Sequence, residues 1–271
     1  MSERYVCVHG HFYQPPRENA WLEAIEAQDS AHPYHDWNER ITAECYEPNT
    51  VSRILDGQDR IVEIVNNYSR ISFDVGPTLL GWMKGKAPSV YRAILDADRE
   101  SQRSFSGHGS AMAQSYNHMI LPLANRRDKY TQIAWGIRDF EHHYGRRPEG
   151  MWLPETAVDL ESLDIMAELG IRFTVLAPSQ AQRVRRMAAR QWRDVSPEAV
   201  DPTTAYRQRL SSGRSIALFF YDGPISRAVA FERLLARGEN FANRLVGGFS
   251  DDADNGRRWP QLVHIATDGE T

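Results

Sequence analysis

Three short stretches hold the residues that could do chemistry. "EGMWLPETAVD", residues 149–159, ends an apolar run on Trp152 and Leu153 and delivers Glu155 directly behind Pro154. "HIATDGET", residues 264–271, ends a second apolar run on Asp268, with Glu270 two positions on. "HGHFYQPP", residues 9–16, sets His9 and His11 in alternation, so that on a strand they point the same way, ahead of Tyr13 and Gln14. Two carboxylates on separate segments can flank one bond. Glycoside cleavage needs such a pair: one protonates the leaving oxygen, and the other attacks the sugar or activates water. Aromatic rings supply flat apolar surfaces with polar edges that suit a sugar face, while His and Gln supply directional hydrogen bonds to hydroxyls. Each group also has a plainer reading. Glu155, ahead of a helical pattern, could serve a helix dipole. The Asp-Gly pair at Asp268 could be a turn. Two same-facing histidines could ligate a metal or donate hydrogen bonds.

These residues need elements to position them. Apolar runs predict strands at residues 5–8, 71–75, 104–107, 150–153, 172–176, 216–221 and 262–266. Several are continuous rather than alternating, as parallel strands buried on both faces require. Helical periodicity predicts helices over 49–69, 86–99, 128–144, 158–169 and 225–236. This alternation predicts an α/β fold with a parallel sheet. About seven repeats suit a closed or nearly closed barrel, with an open doubly wound sheet as the alternative. In such folds ligands bind at the carboxyl ends of the strands. The residues following the strands are His9, His11, Tyr13 and Gln14; Asp74 and Trp82; His108, Gln114, Tyr116 and His118; Trp152 and Glu155; Asp222; and Asp268 and Glu270. Residues 192–213, rich in Pro, Ser and Thr, read as an insertion, and residues 1–271 as a single domain.

Composition narrows the function. With 32 basic and 36 acidic residues the net charge is −4, which gives no general attraction to nucleic acid or an anionic membrane. No apolar stretch approaches the roughly 20 residues of a membrane span. The first residues lack the charged start and apolar core of a signal peptide. Cys7 and Cys45 are the only cysteines, widely separated, so neither a disulfide scaffold nor a cysteine zinc site is expected, and a cytoplasmic protein is. Arg183, Arg185, Arg186, Arg190 and Arg193 read as a solvated helix face rather than a phosphate site, since no glycine-rich loop or aromatic platform accompanies them. A chain ending on a strand followed by Asp-Gly-Glu-Thr reads as a fragment of a longer protein.

The ordered set "HGHFYQPP", "GHGSAMAQSYNHMILPL", "GMWLPETAVD" and "HIATDGET" resembles glycoside hydrolase family 57, and within it the uncharacterised α-amylase/α-mannosidase-like branch. The resemblance spans the chain from first strand to last residue. It implies an incomplete (β/α)7 barrel with parallel strands and a retaining mechanism on α-glucans or related α-glycosides, with hydrolysis or transglycosylation as outcome and no cofactor or metal. It implies Glu155 as nucleophile and Asp268 as general acid/base. It further implies substrate contacts from His11, with His9, Gln14, Trp152 and Glu270 around it, and from His108 and His118 in the second, more loosely matched motif. The partner would be an oligosaccharide or polysaccharide. Two departures stand out. "FYQPP" follows His11 where the family has a histidine almost directly before the proline, which leaves the role of Gln14 open. The family's last motif and C-terminal helical region are also not in this sequence.

Two rival readings remain at this point. A metal-dependent polysaccharide deacetylase would need an Asp and two His around a divalent cation, and His9, His11, Asp74, His108 and His118 are candidates, although the paired aspartates expected after the first strand are missing. A non-catalytic glycan-binding barrel is the other.

Overall fold

The computed structural model describes residues 3–187, 189–250 and 259–271. Seven parallel strands follow one another: β1 (Arg4–Phe12), β2 (Ser72–Val75), β3 (Ala113–Gln114), β4 (Met151–Trp152), β5 (Phe173–Leu176), β6 (Ser215–Phe220) and β7 (Gln261–Asp268). β1 pairs with β7 on one side and β2 on the other. A bridge from Phe73 to Ala111 carries the run to β3, which pairs with β4; a bridge from Gly150 to Phe173 leads on to β5, which pairs with β6. At the far end the antiparallel strand Tyr206–Arg209 occupies the free edge of β6. The Asp222 N–H still reaches the His264 carbonyl of β7 at 2.8 Å. Residues 192–213, expected as an insertion, thus contribute a strand to the edge of β6.

The helices form where the sequence supplies both an apolar stripe and end signals. α1 (Pro77–Lys86) and α2 (Pro88–Ser104) open on proline, whose missing N–H costs nothing in a first turn. On α2 the buried residues Val90, Ile94, Ala97 and Ser101 recur at helical spacing. α3 (Arg126–Tyr144) is capped by Asn125, which accepts from the Asp128 N–H, and stops at Gly145, whose φ of 68° is the left-handed geometry glycine adopts freely. α4 (Leu160–Glu168) is capped by Asp159, which accepts from the Ser162 N–H. α5 (Gly223–Phe231) and α6 (Gly238–Val246) cover β7, burying Ile225, Val229 and Leu245 against Val263 and Ile265. Each such side chain contributes about 1.5–3 kcal/mol of transfer free energy. Cys7 and Cys45 are both free thiols. No helix among the described residues is long and apolar enough to cross a membrane.

Three expectations are corrected. Residues 49–69 are not one helix: Ser52–Leu55 and Ile61–Val65 form an antiparallel hairpin. The run is dominated by β-branched residues, and Asp56 nucleates the turn by accepting from the N–H groups of Gln58 and Arg60. The third strand is Ala113–Gln114, not 104–107, because α2 runs through Ser104 and leaves through a turn at Gly107, where φ is 88°. The arginine cluster is not a helix face: Arg183–Val184 pairs antiparallel with Arg193–Asp194.

His264, buried in β7, makes the fold sensitive to acid. Burial, with His9 nearby, pushes its imidazole down to about 4. The folded state therefore resists a proton that the unfolded chain accepts near pH 6.5. Stability is full above that value and falls as pH drops from 6.5 towards 4. Between pH 7 and pH 5, His264 should remove about 2 kcal/mol of unfolding free energy. Urea unfolding at the two pH values should show His264→Leu losing about that much less than the parent; equal losses would contradict the assignment.

Candidate active site

The centre of the site is a buried carboxylate. In the register of the sheet, His11 of β1 stands beside Asp74 of β2 and beside Asp268 of β7. Alternation puts the His9 and His11 side chains on one face. The fully buried Asp74 receives both: His9 Nε2 at 3.0 Å on one oxygen and His11 Nδ1 at 2.8 Å on the other. His9 Nδ1 lies 2.9 Å from Ser72 Oγ, and His11 Nε2 lies 2.9 Å from His118 Nε2. The Trp152 ring at the end of β4 stacks on both histidines, with centroids 4.9 Å from His9 and 5.2 Å from His11. Tyr13 stacks on His118 at 3.8 Å. One network thereby ties β1, β2, β4 and the His118 loop together.

The charges follow from this packing. Burial alone would raise the Asp74 carboxyl, but attraction and hydrogen bonds from His11 and His9 outweigh it and hold Asp74 below its ordinary value. Burial opposes a proton on His11, yet Asp74, Asp268 and Glu270 together raise it. His118 is pushed down to about 4 by burial and by the neighbouring His11.

Glu155 sits just past β4 and is exposed. Its φ of 56° and ψ of 17° are left-handed, and Thr156 follows at φ 51°. Two consecutive non-glycine residues in this region, the second β-branched, cost of order 1–2 kcal/mol each. Neighbouring elements hold the strain. The Thr156 N–H bonds the Leu153 carbonyl and the Ala157 N–H the Pro154 carbonyl, at 2.8 and 3.0 Å. Beyond them the buried Lys129 ammonium of α3 grips Asp159 at 2.5 Å and Glu161 at 3.0 Å. The helix-dipole reading of Glu155 falls away, since Asp159 caps α4.

Asp268 ends β7, exposed, and its loop is clamped to β1. The Gly269 N–H bonds the His11 carbonyl at 2.8 Å, and a Cβ on Gly269 would run into the Phe12 ring. Glu270 turns inward. Its Oε1 accepts from the Tyr46 hydroxyl at 2.5 Å and from the Tyr13 N–H at 3.2 Å, and burial raises its carboxyl above the ordinary value. Gln14 donates to the Tyr46 hydroxyl at 3.2 Å and accepts from Arg17 at 2.7 Å, which links it to Glu270.

The structure therefore gathers His9, His11, Gln14, His118, Trp152, Asp268 and Glu270 around β1, with Glu155 just past Trp152. It does not bring in His108. That residue precedes β3, at the amino ends of the strands, where it pairs with Glu149 at 2.7 Å. The displacement follows from the third strand starting later than expected. Tyr46 gave no signal in the sequence, coming from a stretch with no motif. Asp74 was visible as an acid at a strand end, but its partnership with both histidines needed the register of β1 and β2. Of the residues the metal reading named, His9 and His11 each bond Asp74, and His11 also meets His118. Among the described residues, the one group of three potential ligands within reach of each other is His35, Asp36 and Glu39. There Asp36 caps a five-residue helix by accepting from the Glu39 N–H.

The family model of glycosyl hydrolase family 57 matches residues 8–271, and the chain belongs to that family. Over 100 residues it is 31% identical to the 1,4-alpha-glucan branching enzyme of Thermococcus kodakarensis, covering 36% of this chain and 13% of the enzyme. Its fold matches an exo-type maltose-forming amylase from Pyrococcus sp. ST04 with a TM-score of 0.66 at 18% identity, covering 98% of this chain and 42% of that one. It also matches the 4-alpha-glucanotransferase of Thermococcus litoralis with a TM-score of 0.61 at 16% identity, covering 100% and 34%. The chain thus spans less than half the length of these relatives.

Strain at Glu155 has a measurable consequence. Asparagine tolerates left-handed backbone better than glutamate. Glu155→Asn should therefore raise unfolding free energy by about 0.5–1 kcal/mol by urea denaturation; a neutral or destabilising result would mean the backbone stores no strain there. Gly269→Ala should cost about 1–3 kcal/mol through the clash with Phe12, and an unchanged urea midpoint would contradict the clamp.

Proposed function

We propose that this chain carries the active centre of a retaining glycosidase or transglycosylase acting on α-glucans or related α-glycosides, built on an incomplete (β/α)7 barrel. The observation that carries the reading is a pair of exposed carboxylates following parallel strands, Glu155 past β4 and Asp268 at the end of β7, the latter beside His11 in the register of β1. The run of parallel pairings from β7 through β1 to β6, with Tyr206–Arg209 on the edge of β6, supports a barrel that does not close by a complete ladder. Family membership supports the chemistry.

In this reading Glu155 is the nucleophile and Asp268 the acid/base. Glu155 attacks the anomeric carbon, the glycosidic bond breaks, and Asp268 gives its proton to the leaving oxygen. Water or a sugar hydroxyl then gives a proton to Asp268 and displaces Glu155 from the glycosyl ester, restoring the original configuration. The strained turn keeps the Glu155 side chain exposed rather than folded onto the protein. Trp152, Tyr13 and His118 supply ring surface and hydrogen-bonding groups for the sugar. Glu270 and Gln14 act from behind, by fixing the loops that carry Asp268 and Tyr13. His108 pairs with Glu149 at the opposite ends of the strands and has no part in this reading.

Proton NMR of a maltooligosaccharide digest should show the α-anomer released first. Glu155→Gln should lose turnover by roughly 10³-fold or more while still folding. First release of the β-anomer, or turnover close to the parent in that variant, would overturn the assignment.

A further inference from the structure

Away from the active centre, arginines and exposed apolar side chains gather on one flank of the sheet. The antiparallel pair Arg183–Val184 and Arg193–Asp194 closes a hairpin whose turn runs through residues 185–192. Its base is anchored: the Val195 N–H bonds the Gln182 carbonyl at 2.9 Å, and Ala181 and Val195 are buried in the core. Its tip faces water. Arg185, Arg186, Arg190 and Arg193 are exposed, and so are Met187 at 75% and Trp192 at 60%. The neighbouring edge strand extends the patch. Arg207 and Arg209 alternate along Tyr206–Arg209, so they share a face, and Arg207 Nη2 lies 3.8 Å from Met187 Sδ.

The patch is short of compensating charge. Elsewhere on the surface exposed arginines such as Arg60, Arg99 and Arg172 pair with acids. Here Arg183 stands opposite Asp194 in the strand pair, and the other arginines of the patch make no ion pair with a described residue. In a chain of net charge −4 this is a local concentration of positive charge, which attracts an anion whatever the overall balance. The apolar side chains decide which anion. The Arg185 guanidinium lies 5.1 Å from the centroid of the Trp192 ring and covers one of its faces. Single-stranded nucleic acid calls for successive free ring faces, and a polyanion recognised by charge alone gives Met187 no role. A lipid surface uses every part: headgroup phosphates meet the guanidinium groups, while Trp and Met side chains enter the boundary beneath them. Arginine stems lying along apolar side chains with their charges outward suit the same boundary.

We propose that this hairpin docks on an anionic lipid surface, with Arg185, Arg186, Arg190 and Arg207 meeting the headgroups and Met187 and Trp192 entering the interface between them. Docking of this kind is reversible and needs no spanning helix. The surface is separate from the candidate active site. Arg207 and Arg209 stand beside Ala217 and Ser215 in the first half of β6, whereas Glu155 and Asp268 follow the carboxyl ends of their strands. The proposal therefore does not depend on the glycosidase reading.

The test is co-sedimentation of the protein with vesicles of phosphatidylglycerol and phosphatidylcholine mixed equally, against vesicles of phosphatidylcholine alone. The protein should partition onto the anionic vesicles and not the neutral ones, and added salt should release it. Arg185→Ser combined with Arg186→Ser should weaken partitioning by about fivefold for each cation removed. Met187→Ser combined with Trp192→Ser, which leaves the charge unchanged, should also weaken it several-fold. All four side chains are exposed, so the variants should unfold at the parent's urea midpoint. Arg99→Ser combined with Arg103→Ser, the same change of charge on exposed positions of α2, should leave partitioning nearly as it was. Equal binding to neutral vesicles, an equal loss in the α2 control, or parental binding in the variant lacking Met187 and Trp192 would each overturn the proposal. So would absence from both kinds of vesicle, including the case where the protein retains single-stranded DNA or a phosphorylated glucan instead.

Discussion

Everything at this site depends on one carboxylate that has no access to water. Burying Asp74 without partners would cost several kcal/mol, and removing one partner of such a group leaves the penalty uncompensated. The chain meets that demand with His9 and His11, two residues apart on one strand and so on one face. The requirement fixes the pairing of β1 with β2, because a slip of one residue would turn both histidines to the opposite face of the sheet. Since β1 also pairs with β7 in a defined register, the same demand sets where Asp268 ends up. A buried ionic network of this kind is a poor source of net stability, and its value here lies in specifying one register.

The second carboxylate is held differently. Glu155 reaches solvent through backbone strain, supported by the Lys129 bridge to the start of α4 and by the stacking of Trp152 on the histidine pair. One acid is thus placed by strand register and the other by a tight turn. Asp268 lies beside His11 in the register of β1, and Glu155 follows three residues after Trp152. The inward turn of Glu270 towards Tyr46 and Tyr13 adds a third constraint, by which the loop after β7 is bound to the loop after β1.

Much of this was legible in the residues. The continuous apolar runs at Tyr5, Phe73, Met151, Val175, Phe219 and Ile265 mark buried parallel strands, and six of the seven expected strands needed only changed ends. The acids and aromatics that follow them marked Glu155, Asp268 and Trp152. What was not legible depends on three-dimensional pairing. The run 49–69 has helical spacing as well as β-branched content, and it lies largely exposed, so no burial pattern decided between the two. The third strand is only two residues long, too short for periodicity to find, and placing it early carried His108 wrongly into the site. Asp74 with His9, and Glu270 with Tyr46, are contacts between segments far apart in the chain. Spacing along the sequence carries no trace of them.

The claim on which the account turns is that Glu155 forms a covalent bond to the sugar. The most direct measurement is to incubate the protein with a 5-fluoro-α-glucosyl fluoride, which forms the glycosyl-enzyme readily and releases it slowly, and to map the adduct by peptide mass spectrometry. The account predicts a single added fluoroglucosyl unit, on the peptide containing Glu155. An adduct on Asp268 instead, or first-formed product of inverted configuration with no adduct anywhere, would contradict it.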